Sequence, residues 1–315
     1  MMHNVFSIIG SNGKEVFGNK WTIDDAKGNI IIVHGMGEYS FRYNEFAQFL
    51  NKNGYNVYAL DHLGHGKNCP NKEGLGIWPR DGFNRCVENV HILWETVHKE
   101  NSNTMIFAHS MGSFMAQLFI EKYPDCVEKV VLCGSSGPSA MFKAGAVVAK
   151  IVGVFSNKNK PSKFMTKMSF GSYNNRYEDV RSEFDWLSAN RENVEKYLND
   201  DYCGFTQSTM FYISFTENLA KIHNKKMLNS ISKNQKLLLI AGKEDPVGNY
   251  GKSVENLHNI YKKLGLDSSL ILYDGLRHEI LNEDMKEQVM NDILSFFERQ
   301  KNSECNESAI HLAKM

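Results

Sequence analysis

A short segment around Ser110 has the residue types and spacing of a nucleophile site. An apolar run, Met105–Ala108, precedes it by one residue, and a helical pattern begins directly after the serine. Such a strand–serine–helix turn holds the serine in a strained backbone geometry with its hydroxyl exposed. The turn needs small residues two positions before and after the serine. Gly112 meets this need, whereas Ala108 adds one methyl group where the usual motif has glycine. The segment predicts a nucleophilic serine, and a serine that only N-caps the helix is the alternative.

A serine hydroxyl attacks only when a base takes its proton, and a carboxylate usually orients that base. On this kind of turn the acid and then the histidine follow the serine along the chain, each after a strand. Asp245 follows the apolar run at 237–241, and His278 follows the run at 270–273. We therefore predict a catalytic triad of Ser110, Asp245 and His278. Glu244 and Glu279 are the neighbouring alternatives for the acid.

The attacked carbonyl oxygen becomes negative and needs hydrogen-bond donors that are already in place. One donor should be the backbone N–H of Met111, the residue after the nucleophile. The other should come from an early loop, His34-Gly-Met-Gly-Glu38, whose glycines let the backbone turn its amides inward. We predict that the N–H of Met36 is this second donor; an ordinary glycine turn is the alternative.

The elements that must position these residues follow a regular order. The first thirty residues predict a β-hairpin, and short apolar runs then alternate with helical patterns. Runs that are apolar throughout suit strands covered on both faces, as in a parallel sheet. The order predicts an α/β fold with a mostly parallel, doubly wound sheet and ligands beyond the carboxyl ends of the strands.

One long stretch interrupts this alternation. Residues 139–232 contain no convincing buried strand and are dense in Met and aromatic residues, which predicts a helical cap inserted into the core. The predicted domains are thus a core of residues 1–138 and 233–300, the cap at 139–232, and a polar C-terminal tail at 301–315, which is expected to fray.

Taken together, the motifs resemble those of the α/β-hydrolase superfamily. They are His34-Gly-Met-Gly-Glu38, Asp61-His-Leu-Gly-His-Gly66, Ala108-His-Ser-Met-Gly112 and the segments around Asp245 and His278. The set is most similar to the monoacylglycerol lipase and lysophospholipase branch, which includes serine aminopeptidase-like members. The likeness covers the core, and the cap matches in position and length. It implies an α/β-hydrolase fold and hydrolysis of a carboxylic ester through an acyl-enzyme, without a metal or an organic cofactor.

The residues of the cap favour a lipid substrate. The first helical stretch of the cap is rich in flexible Met and bulky apolar side chains, which suit a pocket for an acyl chain. We expect four of them to bind substrate: Met141, Phe142, Val148 and Ile151. Single-chain esters, monoacylglycerols or lysophospholipids, are therefore the expected substrates. A peptidase or amidase of the same fold, and a catalytically silent scaffold, are the alternatives.

Composition narrows the function classes further. The chain has 36 basic and 36 acidic side chains, so its charge gives no reason to expect a nucleic-acid partner. The sequence contains no apolar segment of about 20 residues and no secretory signal pattern. Its six cysteines show no regular spacing, which favours reduced thiols and a cytoplasmic location. The histidines at 34, 62, 65 and 109 lack the spacing of a zinc site, so we expect no metal.

The first part of the cap has a local excess of positive charge. Between Ser139 and Tyr177 there is no Asp or Glu, and the basic residues are Lys143, Lys150, Lys158, Lys160, Lys163, Lys167 and Arg176. A basic and partly apolar surface is typical of proteins that rest on anionic membranes. We expect peripheral contact with such a membrane, and a solvated lysine-rich loop is the alternative.

Overall fold

One sheet organises the chain in the computed structural model, which describes residues 1–69 and 71–299. Its strands are β1 (Met2–Ile9), β2 (Glu15–Thr22), β3 (Gly28–Val33), β4 (Tyr55–Leu60), β5 (Thr104–His109), β6 (Lys129–Cys133), β7 (Lys236–Gly242) and β8 (Asp267–Tyr273). The eight strands lie in the order β1-β2-β4-β3-β5-β6-β7-β8. The hairpin of β1 and β2 is antiparallel, β2 pairs antiparallel with β4, and the pairs from β4 to β8 are parallel. The expected mostly parallel α/β sheet is confirmed.

Helices cover both faces of this sheet. The core helices are α1 (Asn44–Lys52), α2 (Gly82–Glu100), α3 (Met111–Lys122), α9 (Lys252–Lys263) and α10 (Lys286–Glu298). Helices α1 and α10 pack on one face, and α2, α3 and α9 pack on the other. Every residue of β3 and of β5 is buried, which explains why their apolar runs at 30–33 and 105–108 do not alternate with polar residues.

The chain between β6 and β7 is helical, as the sequence indicated. Its helices are α4 (Ala140–Phe155), α5 (Lys163–Phe170), α6 (Arg191–Leu198), α7 (Thr209–Leu219) and α8 (Lys225–Ser230). Each has a side-chain N-cap, supplied in turn by Ser139, Ser162, Asn190, Ser208 and Asn224. None of the core helices in the described part of the chain has one. Local capping therefore stabilises the helices that have least core to pack against.

No helix within residues 1–69 and 71–299 is both long and apolar enough to cross a membrane. The predicted polar tail at 301–315 lies outside the described residues.

The approach of α3 to β3 gives the first prediction. A Cβ on Gly112 would overlap the carbonyl oxygen of Val33, whereas a Cβ on Gly145, inside α4, would have no neighbour nearer than 3.7 Å. Gly112→Ala should therefore lower the free energy of unfolding by about 1–3 kcal/mol, the usual cost of overpacking. Gly145→Ala is the matched control and should raise it by up to about 1 kcal/mol, because alanine favours a helix. Urea denaturation of both variants measures the difference, and equal midpoints would show that the close approach does not constrain the turn.

Candidate active site

Ser110 occupies the turn between β5 and α3 in a backbone conformation that residues other than glycine rarely adopt. Its φ is 51° and its ψ is −121°. Its N–H donates to the carbonyl of Cys133 at 2.9 Å, which fastens the turn to the neighbouring strand. The Ser110 side chain makes no capping hydrogen bond to α3, so the N-cap alternative does not hold. The strain instead directs the hydroxyl away from the helix backbone, as a nucleophile requires.

Asp245 and His278 follow β7 and β8 and meet at the carboxyl edge of the sheet. The Asp245 Oδ2 lies 2.9 Å from the His278 Nδ1, and both side chains are buried. The other Asp245 oxygen accepts the N–H of Val247 at 2.8 Å, which fixes the carboxylate plane. Of the two alternatives for the acid, Glu279 is bound to Arg42. Glu244 contributes its backbone carbonyl to a hydrogen bond from the cap.

Ser110 and His278 line the same pocket, next to His109. The His109 ring centroid is 4.7 Å from that of His278. Among the described residues no hydrogen bond joins the Ser110 hydroxyl to His278. Catalytic hydrogen bonds of this type often form only when substrate is bound. The geometry thus supplies a histidine that is already oriented by Asp245 and shares a pocket with the serine.

The loop after β3 is held so that one amide remains available. The N–H of Gly35 donates to Glu38 Oε1 at 2.6 Å, and the N–H of Gly37 donates to His65 Nε2 at 3.3 Å. The N–H groups of Met36 and Met111 have no acceptor among the described residues, and both residues line the pocket. This arrangement places both predicted oxyanion donors beside Ser110.

A buried ionic network supports these segments. The Arg42 guanidinium contacts Glu279 through two hydrogen bonds of 2.6 and 2.9 Å, and Glu38 through one of 3.0 Å. Glu38 also accepts from Tyr43 and lies 3.1 Å from His109 Nδ1. The network therefore connects the loop after β3, the residue before Ser110 and the residue after His278.

The charges in this network determine its protonation. Burial alone would raise the pKa of Glu38, but the hydrogen bond from His109 and the charge of Arg42 together lower it. Burial opposes protonation of His109, yet its contacts with Glu38 raise its pKa above the ordinary value. The pKa of Glu279 is lowered because the Arg42 charge outweighs burial. Both glutamates are therefore ionised at neutral pH.

The histidines at 34, 62 and 65 serve the backbone. Nε2 of His34 accepts the N–H of His62 at 3.0 Å, and His62 in turn lies 3.0 Å from the carbonyl of His34. The His65 Nδ1 lies 2.8 Å from the carbonyl of Leu63. Burial lowers the pKa of all three rings, that of His65 to about 3. They are neutral side chains that connect the loops after β3 and β4.

Above the triad lies a pocket of about 770 Å³, between the core and the cap. This volume is in the range of small-molecule sites. Three of the four predicted substrate-binding residues, Met141, Phe142 and Val148, lie on its wall. The fourth, Ile151, does not, and the expectation for it is wrong. The pocket reaches along α4 only as far as Val148, and Ile151 is 54% exposed on the outer side.

Sequence reasoning missed several residues beside the triad. Glu38 and His109 belong to motifs that the sequence analysis recognised. Their positions directly beside Gly37 and Ser110 could have marked them as part of the site. Arg42 and Trp186 carry no motif, and only the tertiary structure brings Arg42 to Glu279 and Trp186 to His278.

The ionic network gives the second prediction. Glu38→Gln leaves Arg42 and His109 buried with weaker partners, so we expect the free energy of unfolding at pH 7 to fall by about 3–5 kcal/mol. The wild-type contribution of Glu38 is present above the ordinary glutamate pKa of about 4.3 and is lost as the pH falls through the lowered folded value. The variant should therefore lose less stability between pH 6 and pH 3 than the wild type does.

Glu45→Gln is the matched control for that measurement. Glu45 forms an exposed pair with Lys286 on a nearby helix, so its loss should cost less than about 1 kcal/mol. Equal destabilisation of the two variants in urea denaturation would contradict the role given to the buried network.

Comparison with known proteins agrees with this geometry. The sequence pattern of a family described as "Serine aminopeptidase, S33" matches residues 24–285. A monoacylglycerol lipase of Mycolicibacterium smegmatis is 25% identical over 92% of this chain and 95% of its own length. The mouse monoglyceride lipase is 24% identical over 91% of this chain and 86% of its own length.

Solved structures give the same result for the fold. A carboxyl esterase of Bacillus coagulans, solved in complex with glycerol, superposes with a TM-score of 0.87 at 28% identity over 94% of this chain and 98% of its own. A monoglyceride lipase variant of Saccharomyces cerevisiae superposes with a TM-score of 0.74 at 18% identity, over 96% of this chain and 97% of its own. The chain therefore belongs to the serine aminopeptidase S33 family of α/β-hydrolases, in the branch that includes the monoacylglycerol lipases.

Proposed function

We propose that the protein is a serine hydrolase that cleaves carboxylic esters of single-chain lipids, monoacylglycerols or lysophospholipids, through an acyl-enzyme on Ser110. One observation carries the proposal: a strained serine and an Asp245–His278 pair open onto one pocket whose cap wall is largely apolar. The names of its relatives, lipases and a carboxyl esterase, support ester hydrolysis as the reaction.

Acylation begins when Ser110 Oγ attacks the ester carbonyl carbon and its proton passes to His278 Nε2. Asp245 stabilises the imidazolium that forms, because it accepts a hydrogen bond from Nδ1. The carbonyl oxygen takes the negative charge and accepts hydrogen bonds from the N–H groups of Met36 and Met111. The C–O bond to the glycerol oxygen then breaks, and that oxygen takes the proton from His278.

Deacylation repeats these steps with water. A water molecule gives a proton to His278 and attacks the acyl carbon, the bond to Ser110 Oγ breaks, and the serine recovers the proton. The products are a fatty acid and the alcohol released in the first step. These two reaction steps involve no metal and no change of oxidation state. Water is the only co-substrate that they consume.

The cap wall favours a long acyl chain. Apolar side chains of three cap helices line the pocket: Phe142 and Val148 of α4, Met168 and Phe170 of α5, and Leu219 of α7. Burial of a chain there would release ordered water at about 0.8 kcal/mol per methylene group. This gain should make longer acyl chains better substrates.

The peptidase or amidase alternative rests on carboxylates that could bind a substrate amine. Three glutamates line the pocket. Glu38 and Glu279 are already paired with Arg42, which leaves Glu183 of the cap. The lysines Lys163 and Lys167 lie on the same wall and would oppose a cationic substrate. A silent scaffold would require the loss of a triad residue, and Ser110, Asp245 and His278 are all present.

The triad gives the third prediction. Ser110→Ala and His278→Ala should each lower kcat by about 10⁴–10⁶-fold, and Asp245→Asn by about 10⁴-fold, with the fold retained. Initial rates with a p-nitrophenyl ester, with circular dichroism of each variant, measure this. Glu244→Gln is the control and should turn over within about twofold of wild type. Near-wild-type turnover by Asp245→Asn would remove Asp245 from the mechanism.

A substrate panel separates the classes of reaction. It contains a monoacylglycerol, a lysophosphatidylcholine, an aminoacyl amide and an acyl series from acetyl to palmitoyl. We expect the catalytic efficiency to rise beyond octanoyl and the amide to be a poor substrate. Preference for acetyl esters would contradict a lipid substrate, and preference for the amide would support the peptidase alternative.

We also propose that the outer face of the cap rests on anionic membranes. Large apolar side chains are exposed there, namely Val147, Ile151, Val154 and Phe155 of α4 and Phe164 of α5. Two of the cations expected on this face are engaged elsewhere, because Lys150 pairs with Glu217 at 3.0 Å and Arg176 stacks on Tyr250. Lys163 and Lys167 line the pocket. Lys143, Lys158 and Lys160 have no ion-pair partner in the described part of the chain and are available to lipid phosphates. Apolar contact and charge would then act together.

The cap face gives the fourth prediction. A double variant, Lys158→Glu with Lys160→Glu, should weaken co-sedimentation with phosphatidylglycerol vesicles by at least about 30-fold at low salt, since each of the two lost cations contributes about 1 kcal/mol. Phe155→Ser should weaken binding to the same vesicles through lost apolar contact. Higher salt should reduce the effect of the charge variant and leave that of Phe155→Ser.

Lys225→Glu with Lys226→Glu is the matched control, with the same change of charge. These lysines lie on α8, whose Ser230 bonds to Glu121 at the end of α3 that lies away from Ser110. Binding should therefore be nearly unchanged. Equal recovery with anionic and neutral vesicles, or an equal loss in both double variants, would contradict the proposed face.

We also propose that the protein is located in the cytoplasm. The cysteines at 69, 86, 126, 133 and 203 are all unpaired in the structure, which suits a reducing compartment.

A further inference from the structure

The His278 ring contacts two other rings. One is His109, and the other is Trp186 of the cap, with a ring centroid 5.1 Å from that of His278 and an interplanar angle of 43°. The His278 ring makes a hydrogen bond to Asp245 at one nitrogen. One such bond leaves the ring free to rotate about the Nδ1–Oδ2 direction. Packing of the two neighbouring rings against His278 restricts that rotation.

Trp186 is itself held by aromatic neighbours. It stacks on Phe170 at 5.8 Å with an interplanar angle of 4°, and Tyr173 meets it edge-on at 5.0 Å. Offset-stacked and edge-to-face pairs are the favoured arrangements of aromatic rings. The indole is 8% exposed and forms part of the pocket wall. Its orientation is therefore set by packing within the cap.

The backbone around Trp186 is bonded to both sequence neighbours of His278. We call residues 185–190 the cap strap. The guanidinium of Arg277 donates to the carbonyls of Asp185 at 2.6 Å and Ser188 at 3.2 Å. The N–H of Glu279 donates to the carbonyl of Leu187 at 2.7 Å. The cap strap and the histidine loop are thus joined on both sides of His278.

Glu283 closes this connection. Its buried carboxylate accepts the N–H groups of Ala189 at 2.8 Å and Asn190 at 3.1 Å, and that of Arg277 at 3.1 Å. One side chain therefore binds both the cap strap and the residue before His278. The outer helices α4 and α5 expose large apolar side chains instead. The cap has one side fixed to the catalytic base and another that faces solvent.

We propose that Trp186 is a positioning residue for His278, and that the cap strap is a fixed part of the catalytic machinery. The inference rests on the proposed function, since it assigns a role in the same reaction. When His278 takes the proton of Ser110, the imidazolium faces the indole ring, an arrangement that stabilises a cation. Trp186 also holds the ring in the plane that serves both the serine and the leaving group.

The test compares Trp186→Leu and Trp186→Phe in the full chain. With a p-nitrophenyl butyrate substrate, which fills little of the pocket, Trp186→Leu should lower kcat by about 10- to 100-fold and change KM by less than about threefold. Trp186→Phe keeps a ring beside His278 and should recover most of the loss. The rate of Ser110 labelling by a short-chain fluorophosphonate should fall in parallel, since it too depends on His278.

Trp78→Leu is the matched control. Trp78 is even more buried than Trp186 and lies in the core, outside the pocket wall formed by the described residues. It should lower the melting temperature and leave kcat within about threefold of the wild type. If Trp186→Leu fails to fold, Glu283→Gln provides the second variant, and it should lower kcat in the same direction with KM retained.

The outcomes are distinguishable. An active wild type in which Trp186→Leu changes only KM, or changes nothing, would overturn the positioning role alone. So would failure of Trp186→Phe to recover kcat. A wild type that neither hydrolyses the ester nor labels at Ser110 would overturn the proposed function, and this inference with it.

Discussion

The guanidinium of Arg42 lies between two buried carboxylates, and the active-site geometry depends on that arrangement. Glu38 belongs to the loop after β3, and Glu279 follows the catalytic histidine after β8. These segments are far apart in sequence and come together at the carboxyl edge of the sheet. A buried charge without its partner is strongly unfavourable, so neither carboxylate can leave without a large cost in free energy. The network therefore fixes the loop after β3 relative to His278, while Gly112 lets α3 approach β3 closely beside Ser110.

The cap completes the site in two different ways. Through residues 185–190 it is bonded to the histidine loop, and Trp186 packs against the ring of His278. Through α4 and α5 it provides the apolar wall of the pocket and an exposed surface of large apolar side chains. Hydrogen bonds thus join the cap and the core beside His278, and large apolar side chains of the cap are exposed on α4 and α5.

Local sequence could predict the strands, the core helices and the positions of Ser110, Asp245 and His278, because each depends on a short pattern and its place after a strand. The register of the parallel pairs leaves those residues at one edge, as the topology requires. Residues defined by tertiary contact could not be found in this way. Arg42, Glu283 and Trp186 have no distinguishing neighbours in sequence, and their partners are contributed by other segments. Ile151 shows the opposite error: its residue type suited the pocket, but the pocket ends one turn earlier on α4.

The most direct test of the central claim is to trap the covalent intermediate. Rapid mixing of the wild-type protein with excess p-nitrophenyl butyrate, acid quenching and peptide mapping by mass spectrometry would locate the acyl group. The account predicts an initial release of about one equivalent of p-nitrophenol, with a single butyryl group on Ser110 that is absent from Ser110→Ala. Ester hydrolysis by Ser110→Ala at the wild-type rate, or a butyryl group on another residue that turns over with the reaction, would contradict it.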